Sequence, residues 1–439
     1  MSNILSREKD SKSPPLKAVT CLLVGAGIRG HGYAAYALYY PDKFKIVAVA
    51  EPRDFQRNQE KEQHKIDDKF CFKDWRAAAG KEKLADCVII CTVDREHKEP
   101  AVAFAKKGYH ILLEKPMAVT EGDCREIVST CKNNNVTLTV CHVLRYTPWV
   151  KKIKEIIDSG AIGDVVNIQH TEPVGFWHFA HSFVRGNWRN ESLSANSLLA
   201  KCCHDVDLIK YWMGPKRCIA VSSFGGLAHF KKEDKPPGAA SRCLDCPKEI
   251  QSSCPYSAKR LYLNSGRTGW PVSVLTDVPD IESITEALKT GPYGRCVYEC
   301  DNDVMSHQVT NFQFEGGATA SLTMMAFTKR LCEREVKVYG TKGEITCDAA
   351  SLKTLKVFDF VTEQTTTEEL GRESLGLLSG HGGADFHLVN SFVHALLEGR
   401  KDLVLTGADD TLGSHLLVFA AEKARKENQV VTINPDGSF

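Results

Sequence analysis

Ala18-Val19-Thr20-Cys21-Leu22-Leu23-Val24-Gly25-Ala26-Gly27-Ile28-Arg29-Gly30 is the stretch that decides the fold. Its first seven residues form a β-branched, apolar run of buried-strand length. Glycines at 25, 27 and 30 follow, and then an Ala- and Tyr-rich stretch over 31–40 with the composition of a packed helix. Strand, glycine turn and helix in that order is the context in which G-x-G-x-x-G holds a dinucleotide. Gly25 allows the tight turn, Gly27 lets the backbone approach a pyrophosphate, and Gly30 lets the helix pack on the strand. The helix start adds unpaired N–H groups and the positive end of its dipole.

Further apolar runs come at Phe44–Ala50, 85–91, 110–113 and 136–140, with helical stretches at 100–107 and 122–133 between them. This alternation predicts a doubly wound parallel sheet ending near residue 145. Beyond it the spacing predicts a helix over 150–159 closed by Gly160. Strands are then predicted over 165–172, 219–224, 309–314, 318–326, Glu335–Gly340 and 344–347. Period-two alternation in Val309-Thr310-Asn311-Phe312-Gln313-Phe314, and breaks at Gly316-Gly317 and Thr341-Lys342-Gly343, point to a largely antiparallel sheet. A last amphipathic helix is predicted over 411–426. The expected fold class is α/β: a polar tail over 1–17, a Rossmann domain over 18–145, and an α+β domain over 146–439. The last carries a Cys-rich insertion around 228–300.

At 439 residues the chain has room for two domains. Lys plus Arg number 56 against 55 Asp plus Glu, so there is no basic footprint for nucleic acid or an acidic membrane. No apolar run approaches the ~20 residues of a membrane span. The first twenty residues carry no apolar signal core. Most of the 17 cysteines sit singly in apolar runs, as Cys21, Cys87 and Cys91 do, where Cys behaves as a small buried hydrophobe. Reduced thiols and a cytoplasmic location are expected.

Glu51 ends the second strand at the spacing of the acid that accepts from the adenosine ribose hydroxyls. It would repel a 2′-phosphate, whereas the neighbouring Arg53 and Arg57 could welcome one. NAD is expected over NADP. Glu114-Lys115-Pro116 follows another strand, and open α/β sheets bind ligands at the carboxyl ends of their strands. A lysine there can orient a substrate hydroxyl and stabilise developing oxyanion charge. Cys91-Thr92-Val93-Asp94-x-x-His97 ends a third strand at the same crevice. The expected cofactor contacts are Gly25, Gly27, Ile28, Arg29, Gly30, Glu51, Arg53, Thr92, Asp94, His97, Glu114, Lys115 and Pro116.

The glycine turn, the Glu-Lys-Pro after a strand and His204-Asp205-Val206-Asp207-Leu208 together resemble the glucose–fructose oxidoreductase/inositol dehydrogenase/MocA family, over nearly the whole chain. The resemblance implies NAD(P)-dependent chemistry on sugars, cyclitols or related polyols, and a C-terminal sheet that often mediates homo-oligomers, dimers or tetramers. It makes Lys115 the active-site lysine and His204 the proton-transferring histidine. Family dehydrogenases usually carry an Asp one turn before that histidine, but here the position is Ala200, flanked by Lys201. Either Lys201 takes part in its place or His204 works without the partner. Two other activities fit the pattern. One is a glycosidase that retains NAD and cleaves by transient oxidation and elimination. The other is a non-catalytic nucleotide-binding scaffold.

Residues 178–190 supply His178, His181, Arg185, Trp188 and Arg189. These are donors, acceptors and an aromatic face suited to a polyhydroxy substrate. Arg145, at the domain junction, and Lys201 complete the expected substrate contacts. In the insertion, Cys243-x-x-Cys246 and Cys254, with Cys300 or Cys296 as a fourth ligand, have the spacing of a structural zinc site, and Cys300 is the expected choice.

Overall fold

The computed structural model describes residues 17–348, 354–370 and 380–439. The expected tail, Lys17 apart, lies outside them. The first sheet has the strands β1 (Val19–Val24), β2 (Phe44–Ala50), β3 (Cys71–Phe72), β4 (Cys87–Ile90), β5 (His110–Leu113) and β6 (Leu138–Val140). Their order is β3-β2-β1-β4-β5-β6 and every pair is parallel. Helices cover both faces. Cys21 and Leu23 point into one apolar cluster and Leu22 and Val24 into the other, which is why β1 reads as an unbroken apolar run.

The second sheet has nine strands: β7 (Val165–Pro173), β8 (Cys218–Gly226), β9 (His307–Phe314), β10 (Thr319–Met325), β11 (Glu335–Gly340), β12 (Gly343–Asp348), β13 (Thr354–Asp359), β14 (Gln364–Glu369) and β15 (Val431–Thr432). The order is β14-β13-β12-β11-β7-β10-β9-β8-β15. β7 and β10 run parallel and the other neighbours antiparallel. In β9 buried and exposed residues alternate strictly, so one sheet face is packed and the other open.

The helices Cys203–Met213 and Ala408–Glu427 lie on the packed face, and the longer one also reaches β6 and the helix Glu121–Asn133 of the first domain. This joins the two sheets at the carboxyl ends of β5 and β6. The insertion has a small core of its own, built on Cys243, Ala258, Tyr262, Val272, Ile284, Leu288 and Tyr293.

Candidate active site

At the glycine turn, Gly25 has φ +84°, and a Cβ there would stand 2.4 Å from the Cys91 carbonyl oxygen. A Cβ on Gly27 would meet only the Arg53 guanidinium, at 3.4 Å. The turn is therefore closed on the protein side and open where a pyrophosphate would lie, and the helix Ile28–Ala34 has no side chain capping its first N–H groups. Glu51 is 2% exposed. It accepts from the Ala26 N–H at 2.7 Å, and from the Arg53 N–H at 3.0 Å and Nε at 2.7 Å. Burial raises its pKa, but these donors outweigh burial and hold it below the usual carboxylate range. These residues fit the adenosine end of a dinucleotide: an ionised acceptor for ribose hydroxyls beside a turn that admits phosphate.

Glu114 is fully engaged. It accepts from Arg29 Nε at 2.7 Å, the Tyr33 hydroxyl at 2.9 Å and the Lys115 N–H at 2.6 Å. Arg29 also pairs with both oxygens of Asp385, at 2.6 and 2.9 Å. Asp385 in turn meets His381 Nδ1 at 3.0 Å. One partly buried network thus ties the glycine turn to the Glu-Lys-Pro loop and to the helix Ala384–Glu398 of the second domain. Lys115 and Pro116 are joined by a cis peptide.

With its backbone fixed, Lys115 donates from Nζ to the Ala200 carbonyl at 2.8 Å. Ala200 lies one turn before His204, so the ammonium reaches the histidine's neighbourhood without an aspartate between them. His204 is 6% exposed, and its Nδ1 has no hydrogen-bond partner among the described residues. Burial first, then the charge of Lys115, push its pKa well below that of ordinary imidazole. Its ring stands edge-on to His142, with centroids 5.3 Å apart, and 6.4 Å from His381. His142 is buried with neither ring nitrogen bonded, and burial also keeps it neutral. Trp188 lies 5.8 Å from the Lys115 ammonium and donates from Nε1 to Asp94 at 2.9 Å. Lys201 donates to Cys332 Sγ at 2.9 Å and pairs with Glu172 at 3.3 Å. Cys332 also meets His178 Nδ1 at 3.4 Å.

Several expected site residues are corrected. Asp94 is taken up by Trp188 and the Ser194 hydroxyl, and His97 by the carbonyls of Pro116 and Thr92. Their side chains hold the crevice together. Arg145 is no substrate contact, because it is 2% exposed and makes a two-pronged pair with Asp207 at 2.6 and 2.7 Å. His181 bonds the Tyr262 hydroxyl at 2.8 Å and stacks on Tyr293. Arg189 pairs with Asp301 at 2.8 Å on the surface. Arg185 is fully buried, bonded to the carbonyls of Arg295 and Tyr256 and to Cys243 Sγ. Each is held by a residue far along the chain.

The zinc site is corrected as well. Cys243, Cys246 and Cys254 do line one cavity, of about 20 Å³, but the fourth cysteine there is Cys296 and not Cys300. Among the described residues no group of three or more His, Cys, Asp or Glu is arranged to hold a metal ion. The Arg185 guanidinium lines that cavity and donates to Cys243 at 3.3 Å. All 17 cysteines are free thiols.

Sequence reasoning gave no role to Cys332 or Glu172, which the structure brings to Lys201.

A domain model described as an oxidoreductase family, NAD-binding Rossmann fold, matches residues 19–142. Its partner, the C-terminal alpha/beta domain, matches residues 154–433. The chain belongs to this glucose–fructose oxidoreductase/inositol dehydrogenase/MocA family of NAD-dependent oxidoreductases. It is 35% identical over 144 residues to an oxidoreductase of Streptococcus pneumoniae serotype 4, a match over 33% of this chain and 38% of that one. It is 31% identical over 156 residues to 2,7-anhydro-N-acetylneuraminate hydratase of Escherichia coli (strain K12), over 35% and 41%. Both matches span less than half of the relative's length. YteT of Bacillus subtilis (strain 168), named as an oxidoreductase, is 24% identical over 338 residues, covering 74% of this chain and 76% of that one. Among solved structures, levoglucosan dehydrogenase with NADH and L-sorbose shares the fold at a TM-score of 0.70 and 19% identity, over 95% of this chain and 100% of that one. No helix among the described residues is long and apolar enough to cross a membrane.

Proposed function

We propose that the protein moves a hydride between NAD and a hydroxyl-bearing carbon of a sugar, cyclitol or related polyol. The observation that carries this reading is the meeting of the Lys115 ammonium with His204 across the Ala200 carbonyl, at the carboxyl end of β5. NAD, when bound, supplies the hydride acceptor. Lys115 steadies the substrate oxygen as negative charge develops on it. His204, held neutral by burial, accepts the hydroxyl proton. The network of Arg29, Glu114 and Asp385 keeps the lysine loop in register with the glycine turn. The activities after which its relatives are named, a levoglucosan dehydrogenase among them, support a carbohydrate substrate.

The test is NADH formation from NAD with a panel of sugars and polyols, together with NAD and NADP titrations. Turnover with at least one member and tighter binding of NAD are expected. A preference for NADP contradicts the assignment of Glu51, and no turnover with any member contradicts the reaction.

A second reading, transient oxidation by retained NAD with cleavage of a glycoside, is favoured by one contact. Gln56, on the helix after Glu51, donates to Asp277 of the insertion at 2.7 Å, so the insertion reaches across the adenosine end. A dinucleotide mass on the protein as purified, with glycoside cleavage and no net NADH, would establish it. Exposed Phe224, Val166 and Val309 on the open sheet face support the homo-oligomer.

A further inference from the structure

We propose that the insertion builds a second carbohydrate subsite, an aromatic wall of Trp270 and Trp177, and that the substrate is a glycoside or oligosaccharide whose second ring lies on it. The inference rests on the reading of Lys115 and His204 as the reaction centre.

Trp270 is 41% exposed and takes no part in the insertion's own core. It faces the cleft segment instead. Its ring centroid is 5.2 Å from that of Trp177, 5.0 Å from His178 and 5.5 Å from His181, edge-on to both histidines. His181 is anchored behind it by the hydroxyl of Tyr262 and by stacking on Tyr293, both members of the insertion core. The wall is therefore rigid from behind and open in front. An exposed indole held this way leaves apolar area in water that a ligand would cover.

The wall is continuous with the reaction centre. His178, between Trp270 and the cleft, contacts Cys332, which accepts from Lys201, the residue after the Ala200 carbonyl that holds Lys115. Arg267 lies over Trp177 at 5.0 Å and adds guanidinium donors at the outer edge. A flat indole face with the Arg267 guanidinium at its edge matches a pyranose ring, with its C–H face against the indole and its hydroxyls toward the guanidinium. One ring seated at Lys115 and His204 does not also cover Trp270, which stands beyond Lys201, Cys332 and His178. This is the reason for assigning a second ring.

The experiment is calorimetric titration of NAD-saturated protein with D-glucose and with cellobiose, maltose and lactose. At least one disaccharide is expected to bind about tenfold more tightly than glucose. Trp270→Ala should bring it down to the level of glucose, with NAD and glucose binding unchanged, and Trp270→Phe should retain part of the gain. A disaccharide advantage that survives Trp270→Ala overturns the inference, as does the absence of any advantage over glucose. If glucose is turned over without a disaccharide advantage, only the second subsite fails; if NAD or every sugar fails to bind, the underlying reading fails with it. A change of oligomeric state in Trp270→Ala without a change in sugar affinity would make the wall an interface between copies, and would also overturn the inference.

Discussion

The two walls of the cleft use their charged residues differently. On the first-domain wall, Glu51, Glu114 and Lys115 sit where strands of a parallel sheet end, and topology alone aims them at the crevice. On the opposite wall, Arg145, Arg185 and Arg189 are bound to Asp207, to the Cys243 cavity and to Asp301, and Lys201 is held by Cys332 and Glu172. A residue at a strand end has its direction fixed by the sheet. A residue in a connecting segment takes its direction from whichever partner the rest of the chain supplies.

The contrast can be broken at its strongest point. Lys115→Met should lower turnover by a factor on the order of 10² to 10⁴, with NAD affinity unchanged. Steady-state rates and a cofactor titration check this, and a variant that still turns over would move the reaction centre elsewhere. On the other wall, Arg145→Ala should act on stability. It leaves the fully buried Asp207 without its partner, a loss of about 3–5 kcal/mol measured by chemical denaturation.

Buried histidines give the pH dependence. Burial holds His181 and His415 down to about 3, far below the unfolded value of about 6.5. The unfolded chain binds protons in that window and the folded chain does not. Stability is therefore full above about pH 6.5 and falls as pH drops toward 3, by at most about 1.4 kcal/mol per pH unit for each histidine. Thermal unfolding from pH 7 to 4 should show this slope, and His415→Gln should flatten it. The smallest effect is expected at Arg189→Ala, whose pair with a half-exposed Asp301 contributes at most about 1 kcal/mol.

The same contrast governs what was legible. The parallel sheet, the glycine turn and the Glu-Lys-Pro loop follow from local pattern, because strand, turn and helix signals there are consecutive. β13 and β14 carried no such signal. β14 is Gln364-Thr365-Thr366-Thr367-Glu368-Glu369, a nearly wholly exposed edge with no apolar alternation. The parallel pairing of β7 with β10 joins residues some 150 apart (Asn167 with Thr319, for example), which no spacing rule reaches. Cys243, Cys246 and Cys254 were correctly grouped by proximity in the chain. Their fourth neighbour, Cys296, and Arg185, which donates to Cys243, arrive from separate segments that no spacing along the chain joins.

The central claim is that hydride leaves a carbohydrate carbon beside Lys115 and His204. Its most direct test is isotopic: perdeuterated D-glucose, myo-inositol and levoglucosan are incubated with NAD and the protein, and the nicotinamide is extracted for mass analysis. The account predicts deuterium on the nicotinamide ring from at least one substrate with the native protein and none with Lys115→Met. Nicotinamide free of deuterium in every case, or equal labelling by the variant, would contradict it.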